Sequence, residues 1–367
     1  MKKRLAIFMH GGIAGGLFNQ GFPPIVGIVN RLSEEYNVWV YAHAPDRPEP
    51  GVKFRFETAP VWLTSGLLRW IVLVLKFVGH TIKNRYDNSL AFWGYPTGVV
   101  SMVAAGLVGV RSTVILLGGE TANIPEIKYG HLRNTISRKL ILWMAKRVTN
   151  LITVSERQKK VLVDNGVTRN IKVIPWGSDV NVFFANEKRK TTELRILHVA
   201  NLTEVKDQEM LIKAFDLIAD KIPARLKIVG GDYMQGKIHE AAKKLQHSAA
   251  IEFIGAVRHR EIVSYYQWAD LFMLTSLSEG QNSSLHEAMS CGCIPASTDV
   301  GAMDKLVGEE IGIVVNCGDY EMLACRVIDL YNDKAMWNAK QAQAVKYAIT
   351  HDFENTIRQI KTVLEHA

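Results

Sequence analysis

The sequence contains little cysteine and no long apolar run. Only four cysteines occur among its 367 residues, all in the second half. This number argues against a disulfide-stabilised secreted domain and favours a reducing compartment. The longest apolar stretch, residues 67–78, carries Arg69 and Lys76, whereas a membrane-spanning helix needs about 20 apolar residues. The apolar run near the N-terminus is too short for a secretory signal, so we expect a cytoplasmic protein.

Motifs for several kinds of chemistry are also absent. The sequence has no Asp-x-Asp, His-x-His or His-Glu-x-x-His pattern, so we expect no metal ion and no other cofactor. The Gly-x-Ser-x-Gly motif of serine hydrolases is missing. No basic–aromatic motif of a nucleic-acid module is present, so no nucleic-acid partner is expected.

Positive charge is concentrated in the first half of the chain. Residues 1–190 carry 26 Lys and Arg against 12 Asp and Glu, whereas residues 191–367 carry 18 against 24. The basic half favours an acidic partner, the alternative being a solvated basic surface. Segments 67–78 and 129–148 place basic residues beside apolar stripes, which predicts weak peripheral binding to an anionic membrane. The alternative is that both stripes pack against a sheet.

Short apolar runs alternate with helical patterns along the chain. This alternation predicts an α/β protein with parallel sheets and crossover helices, with a ligand in the cleft between two domains. A polar linker near 185–193 divides the chain into domains at 1–185 and 186–350. A C-terminal helix within 351–367 is predicted to pack back towards the N-terminal domain. Ser155 is predicted to cap a helix together with Gln158.

Two glutamates stand eight positions apart in the second half. Glu279 lies in a loop after a buried strand and Glu287 in the helix that follows. The N–H groups that open such a helix suit a phosphate, Glu279 suits a sugar, and Glu287 suits ribose hydroxyls. In the alternative interpretation, Ser284-x-x-Glu287 is a capping box and Glu287 only completes the helix N-terminus.

A lysine and a glycine-rich turn each follow a predicted strand. Lys206 comes after the strand that ends at Val199 and is placed to neutralise a diphosphate, unless it is simply a surface lysine. The glycine-rich turn, which is neither a P-loop nor a dinucleotide-binding loop, lets a substrate approach the backbone or merely closes a tight strand–helix turn. Its glycines are Gly11, Gly12, Gly15 and Gly16.

Taken in order, these stretches resemble the family 4 retaining glycosyltransferases of GT-B fold. SLSEGQNSSLHEAMSCG resembles the family's E-x7-E signature and HVANLTEVKDQ its diphosphate-binding loop. AFWGYPTG and ILLGGETAN resemble two segments of its first domain. The resemblance implies two Rossmann-like parallel α/β domains facing a central cleft. It also implies metal-independent, retaining sugar transfer from a nucleotide-sugar donor to an acceptor hydroxyl, in cell-surface polysaccharide or glycolipid synthesis.

The resemblance also implies roles for individual residues. Glu279 contacts the transferred sugar, Lys206 the diphosphate and Glu287 the ribose. Other donor-binding positions are Asn201, Gly280, Gln281, Asn282 and Ser283, the last four through their backbone amides. The saccharide or lipid-linked acceptor lies on the first domain, where the candidate residues are Gly11, Gly12, Gly15, Gly16 and Trp93.

Several positions depart from the family pattern. Asn201 replaces an arginine, Asn282 replaces a proline, and Phe92 and Leu117 replace first-domain histidines. A further loop carries Ala302 and Lys305 in place of the family's glycine and glutamate. These losses reflect either drift within a diverse family or a change of function, to a different sugar or a non-catalytic relative. A nucleotide-sugar epimerase of the same fold is a further alternative function.

Overall fold

A computed structural model describes residues 2–11, 22–44, 51–186, 192–301, 308 and 310–365. Gly12, Gly15, Gly16, Ala302 and Lys305 lie outside these described residues. The chain forms two compact units, one comprising Met1–Pro175 with Thr356–Ala367 and the other comprising Trp176–Asn355. Within the described ranges, no helix is long and apolar enough to cross a bilayer.

The first unit is built on a seven-stranded parallel sheet in the order β3-β2-β1-β4-β5-β6-β7. Its strands are β1 (Arg4–Met9), β2 (Asn37–Ala42), β3 (Arg55–Thr58), β4 (Asn88–Phe92), β5 (Arg111–Leu116), β6 (Asn150–Thr153) and β7 (Ile171–Val173). The helices described are α1 (Pro23–Leu32), α2 (Gly66–Lys83), α3 (Val99–Leu107), α4 (Thr135–Arg147) and α5 (Glu156–Asp164). Central strands are buried on both faces, which explains their continuous apolar sequence.

The second unit has a six-stranded parallel sheet in the order β10-β9-β8-β11-β12-β13. Its strands are β8 (Leu194–Val199), β9 (Ala224–Val229), β10 (Ile251–Gly255), β11 (Leu271–Leu274), β12 (Ile294–Thr298) and β13 (Ile313–Val315). The helices described are α6 (Gln208–Lys221), α7 (Lys237–Ala242), α8 (His259–Trp268), α9 (Ser283–Ser290), α10 (Tyr320–Asn332) and α11 (Lys334–Thr350). The strand order reverses between β8 and β11, and such a switch point opens a ligand-binding crevice.

The last helix, α12 (Phe353–Glu365), carries the chain into the first unit. Ile357, Ile360 and Leu364 form its buried face. Asn88 Nδ2 donates a hydrogen bond of 2.8 Å to the Leu364 carbonyl, and Thr356 Oγ1 donates one of 2.9 Å to the Pro175 carbonyl. The C-terminal helix is therefore an integral part of the first unit's packing.

The boundary between the units lies at Pro175 and not near 185, where polar composition suggests it. Residues after Pro175 pack within the second unit. Ser178 and Ser290 hydroxyls lie 2.5 Å apart, and the Phe183 ring packs 5.9 Å from that of Tyr266. A polar run marks exposed chain, but burial of the preceding residues decides which unit they join.

Candidate active site

A charged pair occupies the switch point of the second sheet. Lys206 follows β8 and Glu279 follows β11, and these neighbouring strands bring the two side chains together. Lys206 Nζ lies 2.5 Å from Glu279 Oε1, and the glutamate side chain is only 9% exposed. The two residues that sequence reasoning assigned to the diphosphate and the sugar are therefore in direct contact.

The Glu279 carboxylate receives further hydrogen bonds. Ser276 Oγ donates to Oε1 at 2.6 Å, and Asn282 Nδ2 donates to the same oxygen at 3.1 Å. Burial alone would raise the pKa of Glu279, but the Lys206 charge and these hydrogen bonds outweigh it and bring the pKa below its ordinary 4.5. All these donors meet Oε1, so Oε2 is the oxygen without a donor among the residues described.

The loop after Glu279 is shaped by close backbone contacts. Gly301 has a φ of +63°, and a side chain there would place its Cβ 2.3 Å from the Glu279 carbonyl oxygen. Asn282 Oδ1 accepts a hydrogen bond from Leu285 N at 3.0 Å and so caps α9. The alternative interpretation, a capping box of Ser284 and Glu287, is wrong, because Asn282 takes the cap position and Ser284 lies inside the helix.

The backbone amides at the start of α9 are available to a ligand. Within the described chain, the N–H groups of residues 280–283 have no acceptor. The first N–H groups of any helix lack intrahelical partners and carry partial positive charge. Gly280, Gln281, Asn282 and Ser283 thus carry N–H donors, unpaired among the described residues, next to the Lys206–Glu279 pair. That these donors bind a phosphate stays a prediction.

The Gln281 side chain forms hydrogen bonds to Trp176 and His286. Its Oε1 accepts from Trp176 N at 2.6 Å, and its Nε2 donates to the Trp176 carbonyl at 2.8 Å. Nε2 also lies 3.0 Å from His286 Nε2. Burial lowers the pKa of His286 to about 4, so the ring is neutral at pH 7 and can accept this hydrogen bond. Gln281 therefore fixes the loop to the first residue of its unit.

Glu287 is buried and paired within the protein. Its Oε1 lies 2.8 Å from His259 Nε2, and its Oε2 accepts from Tyr266 OH at 2.8 Å. Burial, followed by the negative charge of Glu287, raises the pKa of Tyr266 far above 10. No sequence pattern points to His259 or Tyr266, because neither stands at a diagnostic spacing from Glu287.

Asn201 is exposed and joins two loops at the ends of neighbouring strands. Its Oδ1 accepts from Gly231 N at 3.0 Å, and its carbonyl accepts from Gln208 Nε2 at 3.1 Å. At Gly230, a Cβ would lie 2.0 Å from the Ala200 carbonyl oxygen. The asparagine adds hydrogen-bonding groups to this edge but no charge.

A buried histidine supports the loop that carries Lys206. His198 Nδ1 lies 2.9 Å from the Met273 carbonyl, and its Nε2 lies 3.3 Å from Gln208 Nε2. Burial lowers the pKa of His198 to about 4. The neutral ring therefore donates from Nδ1 and accepts at Nε2, tying β8 to β11 and to the first turn of α6.

The first unit presents different chemistry at its own switch point. Gly11 follows β1, and Trp93, with a φ of +68°, follows the adjacent strand β4. Glu120 is buried and accepts from Gly94 N at 2.7 Å and from Gly118 N at 2.9 Å. Phe92, at the family's histidine position, is completely buried in the core. The carboxylate therefore shapes the backbone that carries Trp93.

No group of three or more His, Cys, Asp or Glu side chains able to hold a metal ion occurs in the described part of the chain. Cys291 and Cys293 are buried, and Cys293 Sγ donates to the Tyr266 carbonyl at 3.2 Å. A thiol in an apolar core behaves as a small hydrophobic residue. The side chains described above at the second switch point carry ammonium, carboxylate and amide groups.

Solved structures identify the architecture. The fold is similar to that of sucrose-phosphate synthase from Thermosynechococcus elongatus, with a TM-score of 0.81, 16% identity, and coverage of 100% of this chain and 99% of that one. It is also similar to WaaG, a glycosyltransferase involved in lipopolysaccharide biosynthesis, with a TM-score of 0.75, 16% identity, and coverage of 99% and 100%. The predicted GT-B fold, with two parallel sheets and flanking helices, is confirmed.

Sequence comparison matches part of the chain to a known family. Residues 179–351 match the family Glycosyl transferases group 1. D-inositol 3-phosphate glycosyltransferase of Corynebacterium urealyticum is 26% identical over 210 residues, covering 52% of this chain and 50% of the relative. Mannosylfructose-phosphate synthase of Agrobacterium fabrum is 28% identical over 208 residues, covering 51% and 45%. The chain spans about half the length of the curated relatives it matches. Residues 179–351, just under half of the chain, are therefore similar in sequence to the group 1 glycosyl transferases, and the predicted resemblance to this family is confirmed.

Proposed function

We propose that this protein is a retaining glycosyltransferase that moves a sugar from a nucleotide-sugar donor to a hydroxyl of a saccharide or lipid-linked acceptor, in the synthesis of cell-surface polysaccharide or glycolipid. The observation that carries the proposal is the contact between Lys206 and Glu279 beside the open amides of residues 280–283. A nucleotide-sugar donor is supported by HepE from Anabaena, a structural neighbour solved with UDP-glucose at a TM-score of 0.76 and 20% identity.

The diphosphate of the donor suits the start of α9. Amide N–H groups and the positive end of the helix dipole stabilise phosphate oxygens without a metal ion. Lys206 Nζ carries three N–H donors and can bind a phosphate oxygen while keeping its contact with Glu279. Stabilising charge on the departing diphosphate is the largest contribution that this arrangement offers to the reaction.

Glu279 suits the transferred sugar. Its lowered pKa keeps the carboxylate ionised at neutral pH, and Oε2 is the oxygen left for sugar hydroxyls. The negative charge also stabilises the cationic character that develops at the anomeric carbon as its bond to the diphosphate breaks. The acceptor oxygen forms the new bond on the same face, and its proton passes to the departing phosphate.

We place the acceptor on the first unit, at Gly11 and Trp93 together with Gly12, Gly15 and Gly16, which lie outside the described residues. The exposed side chains of α2 support peripheral contact with an anionic membrane on the cytoplasmic side. This helix buries Trp70, Leu73 and Phe77, yet leaves Leu67 71% exposed and Leu75 65% exposed. Helix α4, by contrast, buries Ile141, Met144 and Ala145 and, among its apolar side chains, exposes only Ile136 strongly, at 66%. An exposed apolar row on a basic unit is typical of interfacial binding.

Turnover assays test the proposed function. Purified protein is incubated with UDP-, GDP- and ADP-sugars, with and without candidate glycan or glycolipid acceptors. Release of nucleoside diphosphate that requires the acceptor, with the anomeric configuration retained in the product, is the expected result. Change of the donor sugar without an acceptor would indicate an epimerase. Tight donor binding without turnover on any acceptor would indicate a non-catalytic relative.

A further inference from the structure

Three side chains of the second unit form a cluster that we call the Glu287 clamp, which consists of His259, Tyr266 and Glu287. It joins α8 to α9 through two contacts of 2.8 Å, one to each carboxylate oxygen. Tyr266 and Glu287 are buried, whereas the His259 side chain is 31% exposed. His259 is therefore the member of the clamp that faces solvent.

The surroundings of the clamp make its hydrogen bonds strong. Phe183 packs against both rings, with centroids 5.3 Å from His259 and 5.9 Å from Tyr266. A buried carboxylate must be satisfied by donors, and in an apolar environment each donor is worth more than in water. Burial would lower the pKa of His259, but its hydrogen bond to Glu287 and the carboxylate charge raise the pKa above 6.5. The raised pKa favours the charged imidazolium of His259, which is a stronger hydrogen-bond donor than the neutral ring.

The two donors leave part of the carboxylate available. Each carboxylate oxygen can accept about two hydrogen bonds, and the clamp occupies one position on each oxygen. With both oxygens anchored, the plane of the carboxylate is fixed. A carboxylate held in this way offers one further acceptor position per oxygen, which matches a pair of neighbouring hydroxyl groups.

We propose that His259 and Tyr266 are positioning residues that orient Glu287 towards the two ribose hydroxyls of the donor and so set a preference for ribonucleotides over deoxyribonucleotides. This inference rests on the proposed function, because it takes Glu287 as the ribose-binding residue. A clamp that only joined two helices would have no reason to affect the sugar of the nucleotide.

The test compares the affinities of uridine, guanosine and adenosine diphosphates with those of their 2′-deoxy counterparts, by calorimetry on the full chain. The wild-type protein is expected to bind the ribonucleotide roughly 10-fold or more tightly, since a hydrogen bond to a charged group is lost in the deoxy form. His259→Ala and Tyr266→Phe should reduce this ratio towards one, because they weaken binding of the ribonucleotide more than binding of the 2′-deoxy counterpart, which keeps only the 3′-hydroxyl. His259→Gln, which keeps an N–H donor near the Nε2 position, should largely preserve the ratio.

Arg260→Ala is the matched control, since it removes an exposed neighbouring charge from the same helix turn. It should leave the ratio unchanged. If folded His259→Ala and Tyr266→Phe keep the wild-type ratio, or weaken both nucleotides equally, the clamp is only a structural link and the inference is wrong. Wild-type binding without hydroxyl discrimination overturns this inference alone, whereas no binding of any nucleoside diphosphate overturns the proposed function as well.

Discussion

In both units the strand order reverses beside the first strand of the sheet, between β1 and β4 in the first unit and between β8 and β11 in the second. The second unit fills this position with the charged side chains Lys206 and Glu279. The first unit uses the buried carboxylate of Glu120 to hold the backbone at Gly94 and Gly118. The shared topology thus fixes where a site forms. The residues at the strand ends decide whether that site presents charged side chains or a backbone held in a particular shape.

This difference predicts that removing a charge weakens ligand binding in the second unit but lowers stability in the first. Lys206→Met should weaken binding of a nucleoside diphosphate roughly 10- to 150-fold, because a charged hydrogen bond is worth about 1.5–3 kcal/mol. Calorimetry with the nucleoside diphosphate measures the effect. Lys213→Met is the control, since this exposed lysine of the same unit contacts Glu209 and not Glu279. Equal affinities for the Lys206 variant and the wild type would reduce Lys206 to a structural partner of Glu279.

Glu120→Ala should act on stability and leave nucleotide affinity unchanged. The substitution leaves the N–H groups of Gly94 and Gly118 without their acceptor, at a cost of about 1–3 kcal/mol for the buried Gly94 group and less for the partly exposed Gly118 group. Denaturant unfolding measures the loss, and Glu120→Gln, which keeps a side-chain acceptor, should lose less. A Glu120→Ala protein as stable as the wild type would show that the carboxylate does not hold this backbone.

The exposed apolar side chains of α2 can be replaced to test membrane binding without a large change in stability. Leu67→Ser with Leu75→Ser should reduce sedimentation with anionic vesicles and leave unfolding within about 0.5 kcal/mol of the wild type, because both side chains are exposed. Wild-type binding should weaken at high salt, because anionic lipid contributes about 1 kcal/mol per nearby basic residue, within a Debye length. Absence of wild-type binding even at low salt would favour a soluble acceptor.

The smallest expected effect is a change in how the free energy of unfolding depends on pH. Since the pKa of His259 is raised above the 6.5 of the unfolded chain, its contribution to stability is complete below pH 6.5 and is lost as the pH rises through the folded-state pKa. The free energy of unfolding should therefore fall over this window more in the wild type than in His259→Gln. Parallel pH profiles for the two proteins would show that the Glu287 contact does not stabilise the charged imidazole.

Much of the fold was predictable because its signals are local. Alternating apolar runs indicated both parallel sheets, and Ser155 caps α5 by accepting from Gln158 N, as predicted. The Ser284 cap was wrong because Asn282 competes for the same helix start. The roles of His259, Tyr266 and Glu120 depend on contacts across 28, 21 and 26 positions of sequence. No local pattern encodes such contacts, so only the folded chain reveals them.

The most direct test of the central claim is acceptor-dependent sugar transfer by Glu279→Gln at saturating donor. If the Lys206–Glu279 pair is the reacting centre, transfer should fall roughly 100- to 1000-fold, the usual loss when one stabilising electrostatic group is removed. Nucleoside diphosphate affinity should be kept or increased, because the Lys206 charge is no longer neutralised by a carboxylate. Transfer at the wild-type rate by a folded Glu279→Gln protein would contradict the account.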